Sequence, residues 1–197
     1  WQKRSSFEVV LEELAVKIII LPLVISILVG VPVYSLDSEL FLEGIEGAIK
    51  LNFLDGSSYQ GQVEDCPIKT NCMQGTGVYI KAGSIYMGQF KNNKPYGEGF
   101  FIYEDGQSYK GGFKDGELHG KGVMTYPDGR HYEGEYKNSK RNGYGVMTYQ
   151  DGGKYSEASR YEGDWVDDKR NGLGVMIYPN DSRRLEGEFK GDVFIGN

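Results

Sequence analysis

An aromatic-x-glycine signal recurs along this chain at Tyr59/Gly61, Tyr86/Gly88, Tyr109/Gly111, Tyr132/Gly134 and Tyr161/Gly163, with Leu185/Gly187 as a degenerate sixth. Each of the first five is followed by Gly-x-Gly, at Gly75/Gly77, Gly97/Gly99, Gly120/Gly122, Gly143/Gly145 and Gly172/Gly174, with spacings of 22, 23, 23 and 29 residues. A period of this size restricts the fold to a repeat array, in which each unit buries its apolar face only against its neighbours. The two irregular units carry insertions, the first around Cys66 to Cys72 and the fifth around Tyr155 to Arg160, which read as loops.

The cleanest unit, HYEGEYKNSKRNGYGVMTYQDG from His131 to Gly152, alternates with period two. Tyr132, Gly134 and Tyr136 share one face of a first strand, and Gly143, Gly145, Met147 and Tyr149 share one face of a second. Rings and glycines therefore occupy the same side, and a ring lies flat over a neighbouring strand only where there is no Cβ. Composition agrees: 29 glycines are roughly twice average usage, while 15 Tyr, 9 Phe and 2 Trp are too many aromatic residues for a disordered chain. Asp-Gly at 105/106, 128/129 and 151/152 supplies a turn into the next unit, with glycine at positive φ. Each repeat reads as a hairpin, marginal alone and stable when stacked. The expected fold is an all-β array of stacked hairpins forming an elongated, twisted antiparallel sheet.

One transmembrane helix is expected before it. Residues 18–36, IIILPLVISILVGVPVYSL, contain nothing ionisable and approach the roughly 20 residues that span a bilayer. Pro22, Gly30 and Pro32 are tolerated in a membrane helix, with a kink near Pro32. Ser5 and Glu8 have capping-box spacing, and Phe7, Val10, Leu11, Leu14 and Ile18 recur at helical spacing, so residues 1–17 read as an interfacial helix. Residues 37–54 read as a linker and degenerate capping unit, and residues 55–197 as the repeat domain of about five full units and a partial sixth. Lys3, Arg4 and Lys17 flank one end of the span, and Asp37, Glu39, Glu43 and Glu46 the other. The positive-inside rule then puts the N-terminus on the cytoplasmic, matrix or stromal side and the repeats on the opposite side.

The units YKGGFKDGELHGKGVMTYPDG and YEGEYKNSKRNGYGVMTYQDG resemble MORN repeats, the membrane occupation and recognition nexus family, over roughly Tyr59 to Phe189. The carrying motif is aromatic-x-Gly, an aromatic four residues after the first, Gly-x-Gly and a terminal Asp-Gly in register. The resemblance implies stacked hairpins that serve as scaffolds, as dimerisation or lipid-contact modules, and as appendages on enzymes such as phosphoinositide kinases and a lysine methyltransferase. It fixes no single function. The chain departs from the family by its membrane helix, its two long insertions and the lack of a second domain of catalytic size.

Candidate chemistry is sparse. A charge of −6, from 22 Lys+Arg against 28 Asp+Glu, with no basic run, excludes a nucleic-acid footprint. His119 and His131 have no metal-ligand spacing and read as solvent-facing or turn residues. No catalytic residue, cofactor, metal or small-molecule substrate is assigned. Cys66 and Cys72, in CPIKTNC, read either as a small disulfide loop in an oxidising compartment or as two free thiols. Lys-Arg-Asn-Gly occurs twice, and Lys140, Arg141, Lys169 and Arg170, with Arg183 and Arg184, read as a basic stripe along one loop edge. Such a stripe meets either anionic headgroups or a partner protein, unless its residues are simply solvated turns.

The favoured expectation is a non-catalytic, single-pass accessory or scaffold subunit of a larger membrane complex, in a mitochondrial inner or thylakoid membrane. It contacts the bilayer through residues 18–36 and other protein subunits through its repeats. Trp1 at the first position reads as a removed leader of an imported protein. The alternative is a membrane tether that binds lipid through the basic loop edge.

Overall fold

The computed structural model describes residues 48–66, 69–149, 160–178 and 183–196, with side chains described at all of these except 65–66 and 69–71. The expected helices at 1–17 and 18–36, most of the 37–54 linker, the Asp151–Gly152 turn and nearly all of the insertion at Tyr155 to Arg160 lie outside the described residues. Among the described residues, no helix is long and apolar enough to cross a membrane.

Thirteen strands form one antiparallel sheet: β1 (Ala48–Asn52), β2 (Ser58–Cys66), β3 (Lys69–Lys81), β4 (Ser84–Lys91), β5 (Lys94–Ile102), β6 (Ser108–Lys114), β7 (Glu117–Thr125), β8 (His131–Lys137), β9 (Lys140–Thr148), β10 (Arg160–Val166), β11 (Lys169–Ile177), β12 (Arg184–Lys190) and β13 (Val193–Gly196). Their spatial order is their chain order, without a crossover. Every hydrogen-bonded neighbour is therefore a sequence neighbour, as stacked hairpins require. Ala48–Asn52, within the segment expected to be linker and cap, form strand β1.

The glycines receive the rings. Gly61 pairs with Gly77, Gly88 with Gly99, Gly111 with Gly122, Gly134 with Gly145 and Gly163 with Gly174. Over these pairs lie Tyr59, Tyr86, Tyr109, Tyr132 and Tyr161, each at most 1% exposed. A Cβ on Gly145 would sit 2.2 Å from the Tyr132 hydroxyl, and one on Gly174 2.4 Å from that of Tyr161.

The aromatics four residues after Tyr86, Tyr109, Tyr132 and Tyr161, and Phe189 four after Leu185, join the units. Phe90 meets both Tyr59 and Tyr86, Phe113 both Tyr86 and Tyr109, and Tyr136 both Tyr109 and Tyr132. Trp165 does the same for Tyr132 and Tyr161, and Phe189 closes on Tyr161. All nine contacts are edge-to-face, with centroids 5.0–5.4 Å apart and ring planes at 77–89°. Such pairs contribute about 0.5–1.5 kcal/mol each beyond area burial, so the ladder is the core that links one repeat to the next.

Pure alternation misses a bulge inside each hairpin. Register shifts fall between Gly61 and Val63, Gly88 and Phe90, Gly111 and Phe113, Gly134 and Tyr136, and Gly163 and Trp165. The first glycine of each Gly-x-Gly takes up the extra chain in left-handed backbone, from φ 61° at Gly75 to φ 107° at Gly172. A bulge interrupts ladder pairing, and the tyrosine hydroxyl supplies a local partner. Tyr59 donates to the Gln62 carbonyl (2.6 Å), Tyr86 to Gln89 (2.8 Å), Tyr109 to Gly112 (3.1 Å), Tyr132 to Glu135 (3.3 Å) and Tyr161 to Asp164 (3.1 Å). Burial pushes the phenols of Tyr59 and Tyr161 up to about 12 and the other three higher.

Among the described turns two kinds alternate from β4 onward; before it, Ala82-Gly83 (φ 46° and 78°) joins β3 to β4 as a two-residue turn at the end of the sheet otherwise closed by wider turns. Asp105-Gly106 and Asp128-Gly129 lie in wider turns in which glycine alone has positive φ (84° and 83°) and the aspartate accepts from the amide two residues on. At the opposite end of the sheet, two-residue turns have both central residues at positive φ: Asn92-Asn93, Asp115-Gly116, Asn138-Ser139, Asp167-Asp168 and Gly191-Asp192. These are type I′ hairpins, matched to strand twist. Consequently Lys140–Gly143 and Lys169–Gly172 open strands β9 and β11 and are not in loops, contrary to the expectation from sequence.

Candidate functional site

Each of these five two-residue turns clasps the repeat before it. The Asn93 amide donates to the Met73 carbonyl, and the Met73 amide donates to the Asn93 side chain. Ser139 and Leu118, Asp168 and Arg141, and Asp192 and Arg170 make the same reciprocal pair. At the fifth position Gly116 donates to the Pro95 carbonyl at 2.9 Å. There the proline has no amide to donate and the glycine has no side chain to accept, so the two omissions match.

This clasp places the basic residues. The Arg141 guanidinium stacks 4.3 Å from the Trp165 ring centre, and its Nε and Nη2 donate to the Asp168 carboxylate (3.1 Å) and carbonyl (2.8 Å). Arg170 repeats this against Asp192 (3.1 and 2.9 Å), 5.7 Å from both Tyr161 and Phe189. Their side chains are only 19% and 22% exposed, so both close the ring ladder from the side instead of reaching into solvent. Lys140 pairs with Asp167 at 3.5 Å, and Lys169 is exposed at the start of β11.

Arg183 and Arg184 are not brought to this edge. Arg184 pairs in register with Ile177, at the far end of β11, where it meets Glu186 at 2.9 Å, while Arg183 stacks 4.5 Å from Tyr178. The single basic stripe expected from sequence therefore separates into two groups at opposite ends of the sheet. Strand alternation, which sets the end a residue occupies, is invisible to a count of nearby cations.

Cys72 is buried and disulfide-bonded, with Asn93 Nδ2 3.2 Å from its sulfur, and Cys66 is the other cysteine of the sequence. His119 and His131 are half-buried within β7 and β8 and not in turns. Among the described residues, no group of three His, Cys, Asp or Glu converges as a metal site.

Sequence reasoning attended to the ring face and passed over the other. On β8–β12 the opposite face carries Glu133, Val146, Glu162, Val175 and Glu186 as consecutive cross-strand neighbours. Beside them Tyr144 pairs with Asp164 and Leu173 with Glu188. Leu173 is 69% exposed, Tyr144 50% and Ile177 37%, set among the carboxylates of this face. The period-two pattern contained this signal, since the residues between the rings and glycines must point the other way. Near β3–β5 the same face is more apolar, with Val78, Ile85 and Met87 buried.

With this geometry in hand, the MORN repeat family model matches residues 86–108, 109–129, 132–154 and 161–183. The chain thus carries four MORN repeats. The unit led by Tyr59 and the partial unit led by Leu185 fall outside the matched segments; the first keeps the glycine pair within its hairpin (Gly61 with Gly77), and the second pairs Gly187 with Gly174 of the unit before it. No curated protein matches the chain.

Proposed function

We propose that this protein is a non-catalytic scaffold, an accessory subunit of a larger membrane assembly that docks protein partners on its MORN-repeat sheet. The observation that carries the reading is the exposure of Tyr144, Leu173 and Ile177 on the sheet face opposite the ring ladder. Residues 18–36 anchor it in the bilayer, with the repeats on the opposite side from the N-terminus, in an organelle membrane such as the mitochondrial inner or thylakoid membrane. A disulfide-bonded Cys72 agrees with an oxidising compartment on that side. Against the alternative of a lipid tether stands the engagement of Arg141 and Arg170 with their own rings and carboxylates.

The test is extraction from the native membrane in mild detergent, then a native gel with mass spectrometry of the band. Co-migration in a stoichiometric complex far above 22.1 kDa is the expected result. Migration alone or as a small homo-oligomer overturns the reading and favours the tether through Lys140, Arg141, Lys169 and Arg170.

A further inference from the structure

We infer that the sheet face opposite the ring ladder, across β8–β12, is a seat for a basic amphipathic helix of a partner protein lying across the strands. The inference rests on the docking reading above and names its face and partner chemistry. The central row reads acid, apolar, acid, apolar, acid in Glu133, Val146, Glu162, Val175 and Glu186, one residue per strand. Neighbouring strands lie about 4.8 Å apart, so carboxylates repeat every ~9.6 Å and the apolar residues fall midway between them.

Spacing decides the occupant's conformation. Successive turns of an α-helix present side chains on one face every ~5.4 Å, so across four strand intervals a helix drifts about 2.4 Å from the row. An extended strand presents same-face side chains every ~6.7 Å and drifts nearly 8 Å. A helix with Lys or Arg at i, i+7 and i+14 and apolar residues near i+4 and i+11 thus stays in register with all five positions.

Charge fixes its sign. Besides the central row, Asp164 and Glu188 flank Tyr144 and Leu173; of the cations on this face, Arg160 and Arg184 are bridged to Glu162 (2.6 Å) and Glu186 (2.9 Å), and Lys137, Lys140, Lys169 and Lys190 lie at the two-residue-turn end of the strands, beyond the acidic band. The Tyr144 hydroxyl also donates to Glu162. The band between these two levels of cations carries carboxylates alone, and it attracts cationic polypeptide.

The experiment uses the full chain in non-ionic detergent and a fluorescent, about 20-residue helical peptide with the stated Lys and Leu spacing. Anisotropy should show saturable binding that weakens about tenfold between roughly 0.05 and 0.5 M salt. A counterpart with Glu in place of Lys should not bind. Glu133→Lys with Glu186→Lys should weaken the Lys peptide about tenfold and recruit the Glu peptide, and Leu173→Ser should weaken binding without altering the charge pattern. Lys50→Glu, in β1 at the far edge of the sheet, should change nothing. Equal binding of both peptides, indifference to the face variants, or a preference for phosphatidylserine vesicles overturns the proposal. If the peptide fails while the native-gel complex persists, only this inference falls; if the chain migrates alone, the docking reading falls with it.

Discussion

Tyr136 is the one rung whose chemistry does not fit its position. Phe90, Phe113 and Phe189 occupy the same place in other units, and Trp165 there donates its ring nitrogen to the Gly145 carbonyl at 3.2 Å. The Tyr136 hydroxyl is buried without a partner, and burial drives its phenol far above the usual range. Removing an unsatisfied buried hydroxyl recovers its desolvation cost, so Tyr136→Phe should raise stability by about 1 kcal/mol in chemical denaturation. Tyr132→Phe, which cuts the bond to the Glu135 carbonyl, should lower it by a similar ~1 kcal/mol. Gly145 tests the ring seat from the other side. Its missing Cβ is where the Tyr132 hydroxyl lies, so Gly145→Ala should cost about 2 kcal/mol and lower Tm by roughly 4–8 °C, and Gly145→Val more. An unchanged melting temperature would refute the stacking. The ring seats were legible in the sequence because tyrosine and glycine recur at fixed offsets; the hydroxyl-to-carbonyl bond was not, because it depends on a bulge that alternation cannot show.

At the level of the hairpin, the clasp between Pro95 and Gly116 is a natural experiment. Pro95→Met alone introduces an amide with no side-chain acceptor, and Gly116→Asn alone introduces an acceptor with no donor. The double variant recreates the Met73–Asn93 pair, in which the amide meets the side-chain oxygen at 2.8 Å. A double-mutant cycle by urea denaturation should return a favourable coupling of about 1 kcal/mol; simple additivity would mean that the reciprocal bond contributes nothing. The partners stand some twenty residues apart in sequence and one repeat apart in space, which is why they were unreadable before the fold. The same distance hid the fate of Arg141, whose partners Trp165 and Asp168 belong to the next unit. Turn chemistry was half legible: Asp-Gly announced the wide turns, whereas Asn138-Ser139, with φ 51° and 61°, is a type I′ turn without glycine.

For the whole sheet, the ring ladder predicts how the protein fails in alkali. The folded phenols of Tyr59 and Tyr161 ionise near 12 and their neighbours higher, against 10 for the unfolded chain. The unfolded state therefore loses protons first, and stability that is complete below about pH 10 is lost as pH rises toward 12 and beyond. Phenolate absorbance from the ladder should jump together with loss of sheet circular dichroism. A smooth single titration with the sheet intact would contradict a buried ladder. Topology was the most legible property of the sequence, since a period of about 23 residues with hairpin signals leaves little choice but chain-order pairing.

That strict order has a mechanical meaning. Pulling the two edge strands apart loads the backbone bonds one after another instead of in parallel, so the array opens as a zipper under tension. Each hairpin of about 23 residues then releases roughly 75 Å of extensible chain. Because the clasps and ring contacts cross from one unit to the next, every opened hairpin also removes part of its neighbour's support. The sheet thus yields hairpin by hairpin along its length.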